Sequence, residues 1–149
     1  MADSIYPTFN LPTLTPPRTS AEQKKYQSSL YFDFVKGDFV LDGAKRLVTC
    51  DGHEAWLEWC LKQLMTERFT KLAYSDKVGV EIVSAVRDEP DAESAQLAIE
   101  RTVTEALMVN PATEYVRNFE FSQQGDDLSV AFLVKGREWE NEDALQILL

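Results

Sequence analysis

The chain has 149 residues, of which 44% are hydrophobic and 11% are aromatic, and its formal net charge at pH 7 is −10. That length and apolar content fit one compact domain with a sizeable core and leave no room for a second full domain. The acidic balance argues against binding to nucleic acid, which needs a basic face, and no apolar run approaches the roughly 18 residues that cross a bilayer.

The first thirty residues predict an extended arm. Four prolines lie there among Thr and Ser, and prolines at this density are incompatible with a helix or a central strand. Tyr6, Phe9 and Leu11 stand between the prolines as candidate contact residues. Two interpretations stay open with equal weight: a disordered leader, or an arm that becomes ordered on a partner. The first residues lack the pattern of a secretion signal, so we expect a soluble protein made in the cytoplasm.

A strand, a hairpin and a helix are predicted next. Tyr31–Val35 is aromatic and β-branched, as strands are, and Asp42-Gly43 between two apolar runs is a hairpin signal because both residues tolerate positive φ. Asp51 is the predicted cap of a helix, with Glu54 returning a hydrogen bond to the amide of the cap. The apolar stripe of that helix is formed by Leu57, Cys60, Leu61, Leu64 and Met65.

The second half alternates a helix with strands. Residues 69–90 are interpreted as a turn leading into one or two helical turns, although the valines there also favour a strand. Asp91 is the predicted cap of a long helix that Pro111 terminates. A second hairpin follows, with its turn at 123–127 and with apolar residues at every second position on its strands.

The chain ends in an acidic stretch and then an apolar hexapeptide, residues 144–149. We expect this hexapeptide to pair with another strand, because it would promote aggregation if it were left in water. The elements together predict an α+β fold, with a small mixed sheet built from two β-hairpins packed on two main helices. The predicted divisions are the arm at 1–30, an α/β domain at 31–136, and an acidic segment with an exchange strand at 137–149.

Candidate catalytic groups are sparse. His53 is the single histidine, and in the first turn of a helix it is more often a capping or surface residue than a base. Neither a nucleophile–base triad nor a glycine-rich phosphate loop can be assembled from the chain. Cys50 and Cys60 are interpreted as reduced, packed thiols. We therefore predict no enzyme activity, no cofactor and no metal site.

Glu67 and Arg68 stand at the end of the first predicted helix, just before further apolar residues. Their charges have two interpretations. One is a surface ion pair, which contributes little to stability, and the spacing alone favours it. The other is a pair at a protein interface, where arginine is enriched.

Six short motifs, which follow one another in the same order as in a known protein family, make the chain resemble that family. They are Leu64–Phe69, Leu72–Ser75, Gly79–Glu81, Glu105–Pro111, Val116–Phe119 and Asp127–Val130. With these motifs the chain resembles a family of tail proteins from contractile phages of Gram-positive hosts. That family is similar to the sheath initiators of contractile tails, type VI secretion baseplates and related injection machines.

The resemblance implies a structural protein of the baseplate wedge, located in the virion tail and assembled in the host cytoplasm. The implied partners are other wedge proteins, the first ring of the tail sheath, and tube or hub proteins, with no nucleic acid and no membrane. Another tail-assembly adaptor with the same fold is the alternative. A cell-wall hydrolase is a third hypothesis that no residue supports.

The resemblance also implies where the interfaces lie. The sheath-initiator group carries a Glu-Pro-Arg-like motif at wedge contacts, and Glu67 and Arg68 occupy a comparable place without the proline. With Phe69 and Tyr74 they form the expected wedge interface. Sheath proteins of such tails join by strand exchange, so the expected sheath interface is the strand that carries Leu145, Ile147 and Leu149.

Overall fold

The structure, a computed structural model, describes residues 26–149, so Tyr6, Phe9 and Leu11 lie outside the described residues. Within that range the helices are α1 (Gly52–Leu64), α2 (Ile82–Asp88) and α3 (Ala92–Met108). The strands are β1 (Ser29–Leu30), β2 (Phe32–Asp33), β3 (Asp38–Phe39), β4 (Thr49–Cys50), β5 (Thr113–Gln124), β6 (Asp127–Gly136) and β7 (Glu142–Leu148). In this part of the chain, no helix is both long and apolar enough to cross a membrane.

The N-terminal strands form a small lobe rather than part of the main sheet. β1 pairs with β4 and β2 pairs with β3, each as a separate two-stranded antiparallel sheet. The Lys62 ammonium of α1 donates to Ser29 Oγ at 3.0 Å and to the Leu30 carbonyl at 3.2 Å, which holds β1 against that helix. The predicted α+β class is confirmed, but the N-terminal strands and the second hairpin lie in separate sheets instead of one.

The predicted hairpin at residues 39–48 forms, with a different turn from the expected one. Leu41 and Leu47 face each other across it. The left-handed residue is Lys45, at φ 61°, rather than Asp42 or Gly43. The Asp42 carboxylate accepts hydrogen bonds from the amides of Ala44 and Arg46, so a side chain closes this turn.

Helices α1 and α3 begin where the sequence predicts. Asp91 caps α3 by accepting a hydrogen bond from the Ser94 amide at 2.8 Å, which confirms that prediction. Asp51 occupies the N-cap position of α1, but its side chain forms no capping hydrogen bond, so the prediction that this carboxylate caps the helix is wrong. The short helix α2 confirms the prediction of one or two helical turns after residue 78.

Strands β5, β6 and β7 form one antiparallel sheet with β6 in the centre. Its inner face contributes Val130, Phe132, Val134 and Ile147 to the core, and α1 contributes Trp56 together with other buried residues. The indole of Trp56 is buried and donates to Thr113 Oγ1 at 3.2 Å. The core therefore lies between the helices and one face of this sheet, while the other face carries mostly polar side chains together with Leu133 and Leu148.

Candidate functional site: an anchored apolar loop and an open strand edge

The segment after α1 is a long loop whose two ends are joined through the backbone. The Arg68 amide donates to the Val80 carbonyl at 2.9 Å, and the Val80 amide donates to the Thr66 carbonyl at 2.9 Å. These bonds form a parallel bridge between Glu67 and Val80. We call residues 65–78 the apolar loop. Its base is fixed even though the loop lies at the surface.

Gly79 and Gln63 lock the base of the apolar loop. Gly79 has φ +96°, and a Cβ placed there would lie 2.5 Å from the Thr66 carbonyl oxygen and 2.9 Å from the Arg68 amide nitrogen. A side chain is therefore excluded by both backbone conformation and space. The buried Gln63 amide accepts from the Gly79 amide at 3.0 Å and donates to the Lys77 carbonyl at 2.9 Å.

The Arg68 guanidinium also points toward the base of the apolar loop. It donates to the Gly79 carbonyl from Nε at 3.2 Å and from Nη2 at 3.1 Å, and Nη1 lies 3.4 Å from Glu81 Oε2. Only 12% of its side chain is exposed. The ion-pair partner of Arg68 is thus Glu81, and Glu67 points to solvent instead of pairing with its neighbour. Arg68 positions the loop that carries the other expected interface residues.

The apolar loop exposes large side chains. Phe69 is 70% exposed and adopts a left-handed conformation at φ 65°, and Tyr74 is 56% exposed. Met65 and Leu72 of the same loop are also exposed. Several large exposed apolar side chains on one loop indicate an interaction surface more often than a single one does. The structure therefore brings Glu67, Phe69 and Tyr74 to one exposed loop and places Arg68 beneath it.

Strand β7 uses its apolar side chains inside its own domain. Ile147 is only 7% exposed, Leu145 is half-buried against the core, and Leu149 is partly exposed at the end of the chain. β7 pairs antiparallel with β6 over seven consecutive residue pairs without a register shift. The hexapeptide predicted to need a partner thus pairs with β6 of the same chain.

One edge of β7 remains open. Leu128 and Leu149 exchange two backbone hydrogen bonds, at 2.8 and 3.1 Å. Because such pairs alternate along an antiparallel ladder, the N–H and C=O groups of residues 143, 145 and 147 also point toward β6. Those of Glu142, Ala144, Gln146 and Leu148 point away, and no strand among the described residues pairs with them. We call these outward backbone groups the open edge.

Polar contacts hold the beginning of β7 in place. The Glu142 carboxylate accepts from the Tyr115 hydroxyl at 2.7 Å and lies 2.6 Å from Arg117 Nη2. The hydrogen bond from Tyr115 lowers the pKa of Glu142, and the same bond raises the pKa of Tyr115. His53 Nε2 lies 2.7 Å from Asp143 Oδ2, which links α1 to β7. His53 is therefore a half-buried structural contact.

The two cysteines lie inside the domain. Cys50 and Cys60 are buried free thiols, and burial raises the pKa of Cys60 to about 12, so its reactive thiolate is scarce at neutral pH. Within residues 26–149, no three His, Cys, Asp or Glu side chains converge to hold a metal ion.

Sequence reasoning did not identify Gln63, and it quoted Gly79 and Glu81 only as part of a motif, without the role in fixing the apolar loop that the structure gives all three. Gln63 lies on the helix beside its apolar stripe, and nothing in the local pattern marks it as buried. Gly79 stands before a β-branched residue, and a glycine inside an apolar run is a signal for close backbone approach. Glu81 could be paired with Arg68 only once the course of the loop was known.

A family model described as the contractile injection system sheath initiator matches residues 28–138. The chain belongs to this sheath-initiator family. The match includes the apolar loop, both long helices and the strands β5 and β6. It ends before β7 begins.

A relative supports the same family. Over 88 residues the chain is 32% identical to the phage-like element PBSX protein XkdS of Bacillus subtilis (strain 168). The aligned stretch covers 58% of this chain and 62% of that relative, so the chain spans about three fifths of its length. Membership of the sheath-initiator family makes the chain a structural component of a contractile tail, which implies a structural rather than a catalytic role.

Proposed function

We propose that the chain starts sheath assembly in the tail baseplate by accepting a strand of the first sheath ring at the open edge of β7. The carrying observation is the row of outward N–H and C=O groups on Glu142, Ala144, Gln146 and Leu148. Such a row is a template for strand addition, in which backbone hydrogen bonds supply affinity and alternate side chains select the register. Leu145, Ile147 and Leu149 are the proposed sheath-interface residues: Leu145 and Ile147 pack β7 on the domain and Leu149 pairs with Leu128 through the backbone, so that the outer edge of the strand faces the sheath.

The sequence of β7 supports this role. β7 begins with Glu142 and Asp143, but from Ala144 to Leu149 the chain has no charged side chain and no proline. Proteins that protect an edge strand from pairing place lysine, proline or a bulge there. β7 has none of these features, and its pairing with β6 is regular. An edge so left open is expected to have a partner in the assembled particle.

A proline at the open edge tests this proposal. Gln146→Pro removes an outward N–H but no hydrogen bond to β6, and prolines are tolerated on edge strands when the lost N–H faces outward. We expect baseplates that carry this variant to support no sheath growth when sheath protein is added, as seen by electron microscopy. Gln146→Ala is the matched control, because it removes the same side chain and keeps the N–H.

Normal sheath growth on Gln146→Pro baseplates would refute strand addition at β7. Loss of growth with both variants would show that the Gln146 side chain matters instead. Circular dichroism of each isolated protein checks that the fold is retained.

The second part of the proposal concerns docking on other wedge proteins. Glu67, Phe69 and Tyr74 are the proposed contact residues on the apolar loop, and Arg68 holds that loop in position. The exposure of two aromatic rings on a loop with a fixed base supports this, since fixing both ends of a loop lowers the conformational entropy that it loses on binding. Aromatic residues are also enriched at protein interfaces.

A double variant tests wedge docking. Phe69→Asn with Tyr74→Ser removes both rings, and asparagine accepts the left-handed backbone at position 69. We expect the variant to fold but to be lost from purified baseplates. Leu97→Ser is the matched control, because Leu97 is an exposed apolar residue on α3, outside the apolar loop. Equal retention of the two variants in baseplates would contradict the proposal.

The arm completes the proposed set of contacts. Tyr6, Phe9 and Leu11, which lie outside the described residues, are proposed to contact a neighbouring baseplate subunit, such as a tube or hub protein. Amide hydrogen exchange should be slowed at residues 5–14 in purified tails relative to the free protein. Equal exchange in both would remove the arm from the proposal. The net charge of −10 supports protein partners rather than nucleic acid.

A further inference from the structure

The other edge of the sheet, on β5, is interrupted. Arg117 pairs with Leu133 and Glu120 pairs with Ala131, so β5 advances three residues while β6 advances two. The extra residue is part of a β-bulge, and Asn118 within it adopts a left-handed backbone conformation at φ 56°. Asparagine is one of the few residues that adopt this conformation without a large cost.

The bulge changes which backbone groups of β5 face outward. Residues 115 and 117 bond to β6 before the bulge, whereas residues 120 and 122 do so after it, as the alternation along β6 requires. The outward groups are therefore those of Glu114 and Val116 on one side and those of Phe121 and Gln123 on the other. A straight strand cannot match both sets in one register.

Charge adds to this interruption. Glu114, Arg117 and Glu120 lie exposed along β5, whereas the last six residues of the chain, beginning at Ala144, carry no charged side chain. Bulges and charged residues are the devices by which natural sheets keep edge strands from pairing. The two edges of the same sheet therefore differ in geometry, and beyond Glu142 and Asp143 at the start of β7 they also differ in charge.

We infer that the Asn118 bulge prevents another strand from pairing with the β5 edge. A strand from another subunit can then join this sheet only at β7, so the sheet grows from one edge and not from both. This inference rests on the proposed function, because it assumes that strand addition takes place. The fitting partner is one extended segment of another tail subunit. Every second side chain of that segment would be apolar, namely those on the core-facing side of the sheet, next to Leu145 and Ile147.

Residue-resolved amide exchange on the unaltered chain tests the inference, with free protein compared to purified tails. We expect the outward amides of Ala144, Gln146 and Leu148 to exchange at least tenfold more slowly in tails. The outward amides of Val116 and Phe121 should keep the rate that they have in the free protein.

Each other outcome has a distinct meaning. Slowed exchange at Val116 and Phe121, with or without slowing on β7, would overturn the inference and leave strand addition standing. Unchanged exchange on both edges would refute strand addition itself, and with it the inference.

Deleting Asn118 is the complementary test. Phe119 stacks on Phe132 with ring centroids 5.0 Å apart, so its side chain already faces the core. Removal of the one extra residue therefore restores a regular ladder with β6, and every other side chain of β5 stays on the face that it now occupies. In a Gln146→Pro background, which blocks β7, we expect the deletion to produce concentration-dependent dimers in sedimentation. Asn118→Gly in the same background keeps the bulge and should not. A folded deletion variant that sediments like its parent would overturn the inference.

Discussion

Two apolar stretches of the chain, the apolar loop and strand β7, expose opposite parts of the polypeptide. In the loop, the backbone at the base is hydrogen-bonded and the side chains of Phe69 and Tyr74 are exposed. In β7, the side chain of Ile147 is buried and the backbone along one edge is unpaired by any described strand.

This difference shows that apolar character alone does not say how a segment can bind. A loop with exposed rings recognises a partner by the shape and chemistry of side chains. An open strand edge recognises a partner through the backbone, which is less demanding of sequence. Variants can test this difference by disrupting the packing of β7 on the core or the hydrogen-bonded base of the apolar loop.

The largest effect is expected from Ile147→Ala. The side chain is 7% exposed, and its removal leaves a cavity beneath β7, so we expect the free energy of unfolding to fall by roughly 3 to 4 kcal/mol. Leu148→Ala is the matched control, because Leu148 is 70% exposed on the opposite face, and its effect should stay within about 0.5 kcal/mol. Urea denaturation measures both, and equal losses would mean that β7 is not packed as described.

Gly79→Ala should have the next largest effect, at the base of the apolar loop. A methyl group there would meet the Thr66 carbonyl oxygen at 2.5 Å in a left-handed backbone, so we expect a loss of about 3 kcal/mol. Gly125→Ala is the control that separates backbone strain from steric overlap, because Gly125 has φ +64° but no atom close to the added methyl group. Its cost should be about 1 kcal/mol. Equal losses in urea denaturation would contradict the close approach.

Arg68→Met should cost about 2 kcal/mol, because it removes charge-assisted hydrogen bonds to the Gly79 carbonyl and to Glu81. Exchange of amides in residues 69–78 should become faster as the loop loosens. Glu67→Gln, at the adjacent exposed residue, should change neither the free energy of unfolding nor the exchange of these amides. If the two variants behaved alike, Arg68 would be a surface residue rather than the one that positions the loop.

The smallest effect concerns the polar contacts of β7 and depends on pH. The pKa of Glu142 lies below its ordinary value of 4.5, so its stabilising contribution is present above that pH and is lost as the pH falls through the folded-state pKa. Glu142→Gln should therefore lower the melting temperature at pH 7 and have less effect at pH 3. Equal effects at both pH values, measured by calorimetry, would rule out a contribution from the charge.

The helices were largely predictable from sequence because their signals are local. Asp91 and Pro111 bound α3 within a few residues, and the stripe of α1 correctly placed Cys60 and Leu64 in the core. The Asp51 side chain forms no capping hydrogen bond, although the helix begins directly after it. Local patterns thus located the elements better than they specified individual hydrogen bonds.

Contacts between distant residues could not be predicted in this way. The partner of Arg68 is Glu81, thirteen positions away across a loop whose course depends on Gly79. The bulge at Asn118 leaves no mark in the alternation of Phe119 and Phe121. The sequence indicated that residues 144–149 need a strand beside them, but backbone pairing carries too little sequence information to identify β6 as that strand.

Trp139 lies in the connection between β6 and β7, and its indole stacks on that of Trp56 with ring centroids 5.1 Å apart. This stacking gives the chain an intrinsic optical probe of its C-terminal end. Detachment of that end would bring Trp139 into water and shift its fluorescence to longer wavelength, whereas a strand added along the outer side would leave the emission maximum where it was. Fluorescence spectra can therefore distinguish a donated end from an accepting one without any label.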